Sequence, residues 1–200
     1  MSESINARSE GQAPNHPYDI LLVEDDDAAA ALIVRGVASM GLKVKRVADG
    51  EHAILITQNN LPDLVLMDIM MPRLDGLETT RYLKMHYTGQ LPVMVITARE
   101  DGESLRQAQA SGVDDYMTKP VRISRLRERV GRLLSLGEAE RKAASGDAEG
   151  IAQVVRLRLE IADELIEIGR APIAQRHLER LMAIDAEHDG VKSLARKLDV

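Results

Sequence analysis

Four short apolar runs mark the first part of the chain, and each one ends in polar residues. Ile20-Leu21-Leu22-Val23 runs into Glu24-Asp25-Asp26, and Leu64-Val65-Leu66-Met67 runs into Asp68. Val93-Met94-Val95-Ile96 ends in Thr97, and Asp115-Tyr116-Met117-Thr118 ends in Lys119-Pro120. A short continuous apolar run bounded by turn formers reads as a strand buried on both faces, the kind found in parallel sheets. Pro62 and Pro72 bracket the second run, and Val44 and Val47 mark a further, weaker strand. Helical stretches fall between the runs. Asp26 or Asp27 can cap a helix from Ala28 to Met40 that Gly41 ends, and another helix spans about Gly50 to Gln58. Strands and helices alternate in this way to about Gly137, which predicts a parallel sheet flanked by helices.

Beyond Gly137 the strand signals stop. Residues 137–150 are rich in Ala, Glu, Lys and Gly and fit either a linker or an extension of the preceding helix. Leu157, Ile161, Leu165 and Ile168 then recur at helical spacing, Gly169 is a stop, and Pro172 suits the first turn of a new helix. Ile173, Leu178, Leu181 and Met182 form its apolar stripe, and a last helix over about Asp189 to Leu198 turns Val191, Leu194 and Leu198 inward. Residues 1–17 are polar and aperiodic and read as a disordered leader.

If the apolar runs lie parallel in one sheet, their polar ends converge on one rim, where ligand sites of such sheets open. Glu24, Asp25, Asp68, Thr97 and Lys119 would meet there. Several carboxylates in one place repel unless they share a cation. Hard oxygen donors at an open site suit Mg²⁺.

Four segments together resemble the receiver domain of two-component response regulators. They are Val23 to Asp26, Met67 to Gly76, Ile96-Thr97-Ala98 and Gly112 to Pro120, in family order and spacing over residues 18–136. The resemblance implies a flavodoxin-like, doubly wound, five-stranded parallel α/β sheet followed by a small all-α tail. It implies that Asp68 is the phosphoryl acceptor, that Lys119 pairs with it, and that Thr97 and Tyr116 are the switch. It places Mg²⁺ on Asp25 directly, on Glu24 through a water, on Asp68 and on the backbone carbonyl of Met70. A histidine kinase or histidine phosphotransfer protein is the implied donor, and the chain is not expected to be an enzyme in the usual sense. Met70 and Arg99 stand where the family tunes self-dephosphorylation, and they imply a slow rate. Asp115 and Arg129 fit the acid–base pairs of the family's dimer face. Leu105, Arg125 and Val121 depart from it, so a homodimer of the standard form is in question.

Composition narrows the setting. The 200 residues are 44% hydrophobic but contain no Phe, Trp or Cys, so the core is aliphatic and no thiolate or disulfide contributes. The net charge of −6 argues against broad nucleic-acid affinity. No stretch is long and apolar enough to span a membrane, and the expected location is the cytoplasm. Residues 151–200 look like a tetratricopeptide hairpin, on the small and apolar positions Ala162, Gly169, Ala174 and Leu178. A single repeat must cover its apolar face with another surface. The stripe Arg122, Arg125, Arg129 and Arg132 reads as solvated or partner-facing. A protein partner for the tail is therefore expected in preference to DNA. The alternative is a DNA-binding regulator whose tail is a short helix-turn-helix, with Arg176 and Arg180 on its second helix.

Overall fold

Every apolar run becomes a strand in the computed structural model, which describes residues 17–87 and 89–199. Except for Pro17, the expected leader lies outside the described residues. The strands are β1 (Ile20–Val23), β2 (Val44–Val47), β3 (Leu64–Met67), β4 (Val93–Thr97) and β5 (Asp115–Thr118), all parallel in the order β2-β1-β3-β4-β5. The helices α1 (Asp27–Ala38), α2 (Gly50–Asn59), α3 (Gly76–His86), α4 (Gly102–Ser111) and α5 (Ile123–Ala144) alternate with them. This is the flavodoxin-like arrangement. β1, β3 and β4 are buried throughout, as uninterrupted apolar runs require, whereas the edge strand β2 has only half-buried and exposed residues.

Aspartates start four of these five helices. Asp26, Asp49, Asp75 and Asp101 each cap a helix by accepting from backbone N–H groups two or three residues on. Asp26 rather than Asp27 caps α1, and the helix ends at Ala38, with Ser39 as its C-cap, before Gly41 is reached.

The stretch left open between linker and helix is mostly helix. α5 runs on to Ala144, and a turn through Ser145–Asp147 leads into α6 (Ala148–Glu167). α7 (Ala171–Asp185) and α8 (Asp189–Lys197) follow. The turn between α6 and α7 uses Gly169 at φ +75°, where a side chain would be strained. Leu157, Ile161 and Leu165 face inward as the spacing predicts, as do Ile173, Leu178, Leu181, Val191 and Leu194. Ile168 and Met182 do not. They are 44% and 50% exposed, because Ile168 already lies past the last turn of α6 and Met182 falls off the stripe of α7.

The tail lies on the α/β unit, α6 against α5 and α7 against α4. β5, the second edge of the sheet, is accordingly buried over Asp115, Tyr116 and Met117. A polar cluster pins this junction. His177 donates from Nε2 to the Asp114 carbonyl at 2.6 Å and accepts at Nδ1 from Arg158 at 3.2 Å. Arg158 also pairs with Glu140. Asp114 accepts from the Val93 N–H and pairs with Lys84.

A carbonyl on one side and a guanidinium on the other fix His177 as the neutral imidazole. Burial, reinforced by the Arg158 charge, pushes its pKa down to about 3. The unfolded chain takes up a proton near pH 6.5 that the folded chain refuses. The stability contribution is therefore present above that pH and is lost as pH falls towards 3. Between pH 7 and pH 5, about 2 kcal/mol of stability should disappear from this group. Urea unfolding of His177→Gln, whose amide can keep both hydrogen bonds, should show a flatter pH dependence. Parallel curves for the two proteins would refute the assignment.

Candidate functional site

Register brings the site together. Val23 is level with Met67 and Met67 with Val95, while Thr97 pairs with Thr118, so the residues that follow these strand ends emerge on one rim. The backbone ladder continues one step further. The Asp68 N–H donates to the Val23 carbonyl, the Glu24 N–H to the Val47 carbonyl and the Lys119 N–H to the Thr97 carbonyl.

On this rim the Lys119 ammonium lies 2.7 Å from Asp68 Oδ2 and 2.8 Å from Glu24 Oε2. Asp68 Oδ1 accepts from the Met70 N–H at 3.1 Å. Glu24, Asp25 and Asp68 can each aim a carboxylate oxygen so that all three lie within 4.8 Å of one another. Glu24 and Asp68 are buried, and Asp25 is exposed. Burial raises the Glu24 pKa, with the neighbouring Asp68 charge adding to it and Lys119 opposing it. Burial works against the charge on Lys119, yet hydrogen bonds and attraction from Asp68 and Glu24 outweigh it, so its pKa is raised. Three carboxylates face one ammonium, which leaves a deficit of positive charge. Glu24 Oε2 is buried without a well-directed hydrogen bond among the described residues. An all-oxygen donor set with more carboxylate than ammonium charge fits a hard divalent cation such as Mg²⁺.

Thr97 is fully buried, and its hydroxyl accepts from the Arg99 N–H at 3.3 Å. Tyr116 is 1% exposed and donates its hydroxyl proton to the Arg99 carbonyl at 2.8 Å. Met70 is 53% exposed at the mouth of the site. A cavity of about 460 Å³ beside Tyr18, Val44 and Ile56 lies at the opposite end of the sheet. The chemistry sits on the open rim instead.

Two contributors escaped the sequence reading. Arg46 on β2 donates to the backbone carbonyls of Glu24 at 3.0 Å and Asp25 at 2.9 Å, and so holds the acidic loop in place. Its place in a short polar-apolar strand gave no signal of this. Gly76 is the other. A Cβ there would fall 1.9 Å from the Asp68 carbonyl oxygen, so α3 starts directly against the Asp68 loop. Gly76→Ala should cost about 3 kcal/mol through overpacking and displace Asp68. Urea unfolding and phosphoryl uptake should fall together, and a near-neutral variant would show that the helix start yields.

Arg129 corrects the expectation of a solvated arginine stripe. It is 7% exposed and donates to Asp115 Oδ1 at 2.6 Å and to Glu164 Oε1 on α6 at 3.0 Å. Arg132 joins the same Glu164 at 2.5 Å. Burial against these two carboxylates turns Arg129 away from the surface that a second copy would meet. Arg125, at 62% side-chain exposure, stays largely in solvent.

The family described as the response regulator receiver domain matches residues 20–131. The chain belongs to this family. Among the receiver's relatives, the transcriptional regulatory protein AfsQ1 of Streptomyces coelicolor is 30% identical over 183 residues, covering 85% of this chain and 80% of AfsQ1. The response regulator MprA of Mycobacterium sp. (strain KMS) is 40% identical over 119 residues, covering 59% of this chain and 51% of MprA. The match thus spans about half the length of MprA. Among solved structures, the receiver domain of Francisella response regulator 1452 is 31% identical with a TM-score of 0.54, covering 58% of this chain and 96% of that one. The BeF3-activated receiver domain of Klebsiella pneumoniae RstA is 29% identical with a TM-score of 0.54, covering 57% and 97%. Receivers are phosphoacceptors rather than classical enzymes, and a receiver implies a histidine kinase. No helix among the described residues is long and apolar enough to cross a membrane.

Proposed function

We propose that this receiver takes a phosphoryl group onto Asp68 from a histidine kinase or histidine phosphotransfer protein and thereby switches protein contacts made through its receiver face and helical tail. The observation that carries this reading is the Lys119 ammonium shared by Asp68 and Glu24 on a rim where Asp25 adds a third carboxylate. An Asp68 carboxylate oxygen attacks phosphorus and forms the O–P bond as the P–N bond of phosphohistidine breaks. The imidazole leaves with the electron pair. Lys119, already in contact with Asp68 Oδ2, pairs with a phosphoryl oxygen of the product. Glu24, Asp25, Asp68 and the Met70 carbonyl would hold Mg²⁺, which supplies positive charge to offset that of the phosphoryl group. Thr97 hydrogen-bonds the phosphoryl group, and Tyr116 follows it. Phosphorylation adds roughly two negative charges, which shift the population of a pre-existing state.

The division that suits this function is a receiver over residues 18–136 and a tetratricopeptide-like segment over 151–200, working in the cytoplasm where phosphohistidine donors act. Met70 and Arg99 favour slow self-dephosphorylation. The test is Mg²⁺-dependent labelling by acetyl phosphate, read on a phosphate-affinity gel, with solution mass measured with and without beryllofluoride. A chain that takes no label with Mg²⁺ present would overturn the proposal.

A second reading, control of transcription, has an observation of its own. The AfsQ1 match covers more of the chain than residues 20–131 account for, and that relative's name is a transcriptional regulatory protein. DNA therefore stands as a partner to be tested, contrary to the expectation from charge. Salt-dependent retention of the phosphorylated chain on double-stranded DNA would favour it.

A further inference from the structure

Tyr116 is gripped from two sides. Inside, its hydroxyl bonds to the carbonyl of Arg99, the residue whose N–H meets Thr97. From the tail, Arg170 lays its guanidinium carbon 5.7 Å over the ring centroid. Arg170 stands in the turn between α6 and α7, held by its N–H on the Leu165 carbonyl at 2.7 Å and by the Ile173 and Ala174 N–H groups on its own carbonyl. Its Nε is buried and has no hydrogen-bond partner among the described residues. The aromatic face is thus what this cation is set against, a contact that gains strength when desolvated. The strand backbone at the same place is tied to the tail as well, since Arg129 touches both the Tyr116 carbonyl and Glu164.

We propose that Arg170 is a positioning residue for the phosphoryl switch: it closes over Tyr116 and holds the ring inward, so that tail docking and phosphorylation of Asp68 stabilise each other. The inference rests on the reading of Asp68 as acceptor and of Thr97 and Tyr116 as switch. An outward swing of Tyr116 breaks its bond to Arg99 and gives up its contact with Arg170. Movement of Thr97 towards a phosphoryl group favours the same inward ring. Two events that favour one position of one side chain are coupled with positive sign, and the coupling is reciprocal. Phosphorylation therefore tightens this tail on its receiver.

The test uses the full chain, with beryllofluoride and Mg²⁺ as the probe and calorimetry as the readout. Arg170→Ala should weaken beryllofluoride binding about fivefold, and Arg170→Lys, which keeps a cation over the ring, about twofold or less. Amide hydrogen exchange in α7 should slow when the wild-type chain binds beryllofluoride. Circular dichroism checks that each variant is folded, and the wild-type exchange measurement needs no variant at all. Unchanged or tighter binding by Arg170→Ala, or faster exchange in α7, would overturn the proposal while leaving the acceptor reading intact. Failure of the wild-type chain to bind, or equal binding by Asp68→Asn, would instead overturn the acceptor reading and the proposal with it.

Discussion

Asp68→Asn is expected to abolish phosphoryl uptake from any donor, whether acetyl phosphate or a phosphorylated kinase. The amide of asparagine is a poor nucleophile and cannot form an acyl phosphate, and none of the neighbouring oxygens can replace Asp68. Glu24 is buried on the ammonium of Lys119, and Asp25 is exposed to solvent. The fold should tolerate the change, because Lys119 keeps Glu24 as a partner at 2.8 Å and loss of one of three clustered carboxylate charges relieves their mutual repulsion. A phosphate-affinity gel beside a urea unfolding curve separates the two effects. The expected pattern is loss of the shifted band with a midpoint close to wild type. Persistent label would move the acceptor elsewhere on the rim. Chelation of Mg²⁺ should reduce wild-type labelling in the same assay, since Glu24, Asp25 and Asp68 would then repel the incoming phosphoryl group.

The largest loss of stability is expected from Arg158→Ala. Arg158 is 2% exposed and bridges Glu140 on α5 to His177 on α7. Its removal leaves a nearly buried carboxylate and an imidazole acceptor without their donor. Breaking a buried ion pair from one side costs about 3–5 kcal/mol, a large share of the stability of an ordinary domain. Arg158→Met combined with Glu140→Leu should recover much of that loss, because apolar groups of similar volume remove the unpaired charge along with its partner. Urea unfolding followed by circular dichroism measures both. A single variant within about 1 kcal/mol of wild type would mean that water reaches this cluster.

How much of this was legible depends on the kind of contact involved. Strands β1, β3 and β4 could be read directly, because a strand buried on both faces must be apolar at every position. The rim followed from them, since a parallel sheet puts all carboxyl ends on one side, and so Glu24, Asp25, Asp68, Thr97 and Lys119 were identifiable as neighbours. Helical periodicity found the inward faces of α6, α7 and α8. It failed at Ile168 and Met182, whose surroundings depend on where a helix stops and on which neighbour it meets. Arg46 gave no signal, and Gly76 stood out only as the end of the Met67–Gly76 segment, for a similar reason, because each acts on backbone atoms brought close only by the fold.

The sequence by itself determined the receiver, its acidic rim and the helical character of the tail, all of which arise from periodicity and from residue types at strand ends. Only the tertiary structure decided where the tail goes. It placed Arg129 between Asp115 and Glu164, Arg158 between Glu140 and His177, and Arg170 over Tyr116. These partners are far apart along the chain or lie on separate elements. An arginine looks the same in the sequence whether it ends in water or in a buried pair. Its environment is set by the packing of α6 and α7 on α5 and α4, which no local pattern encodes.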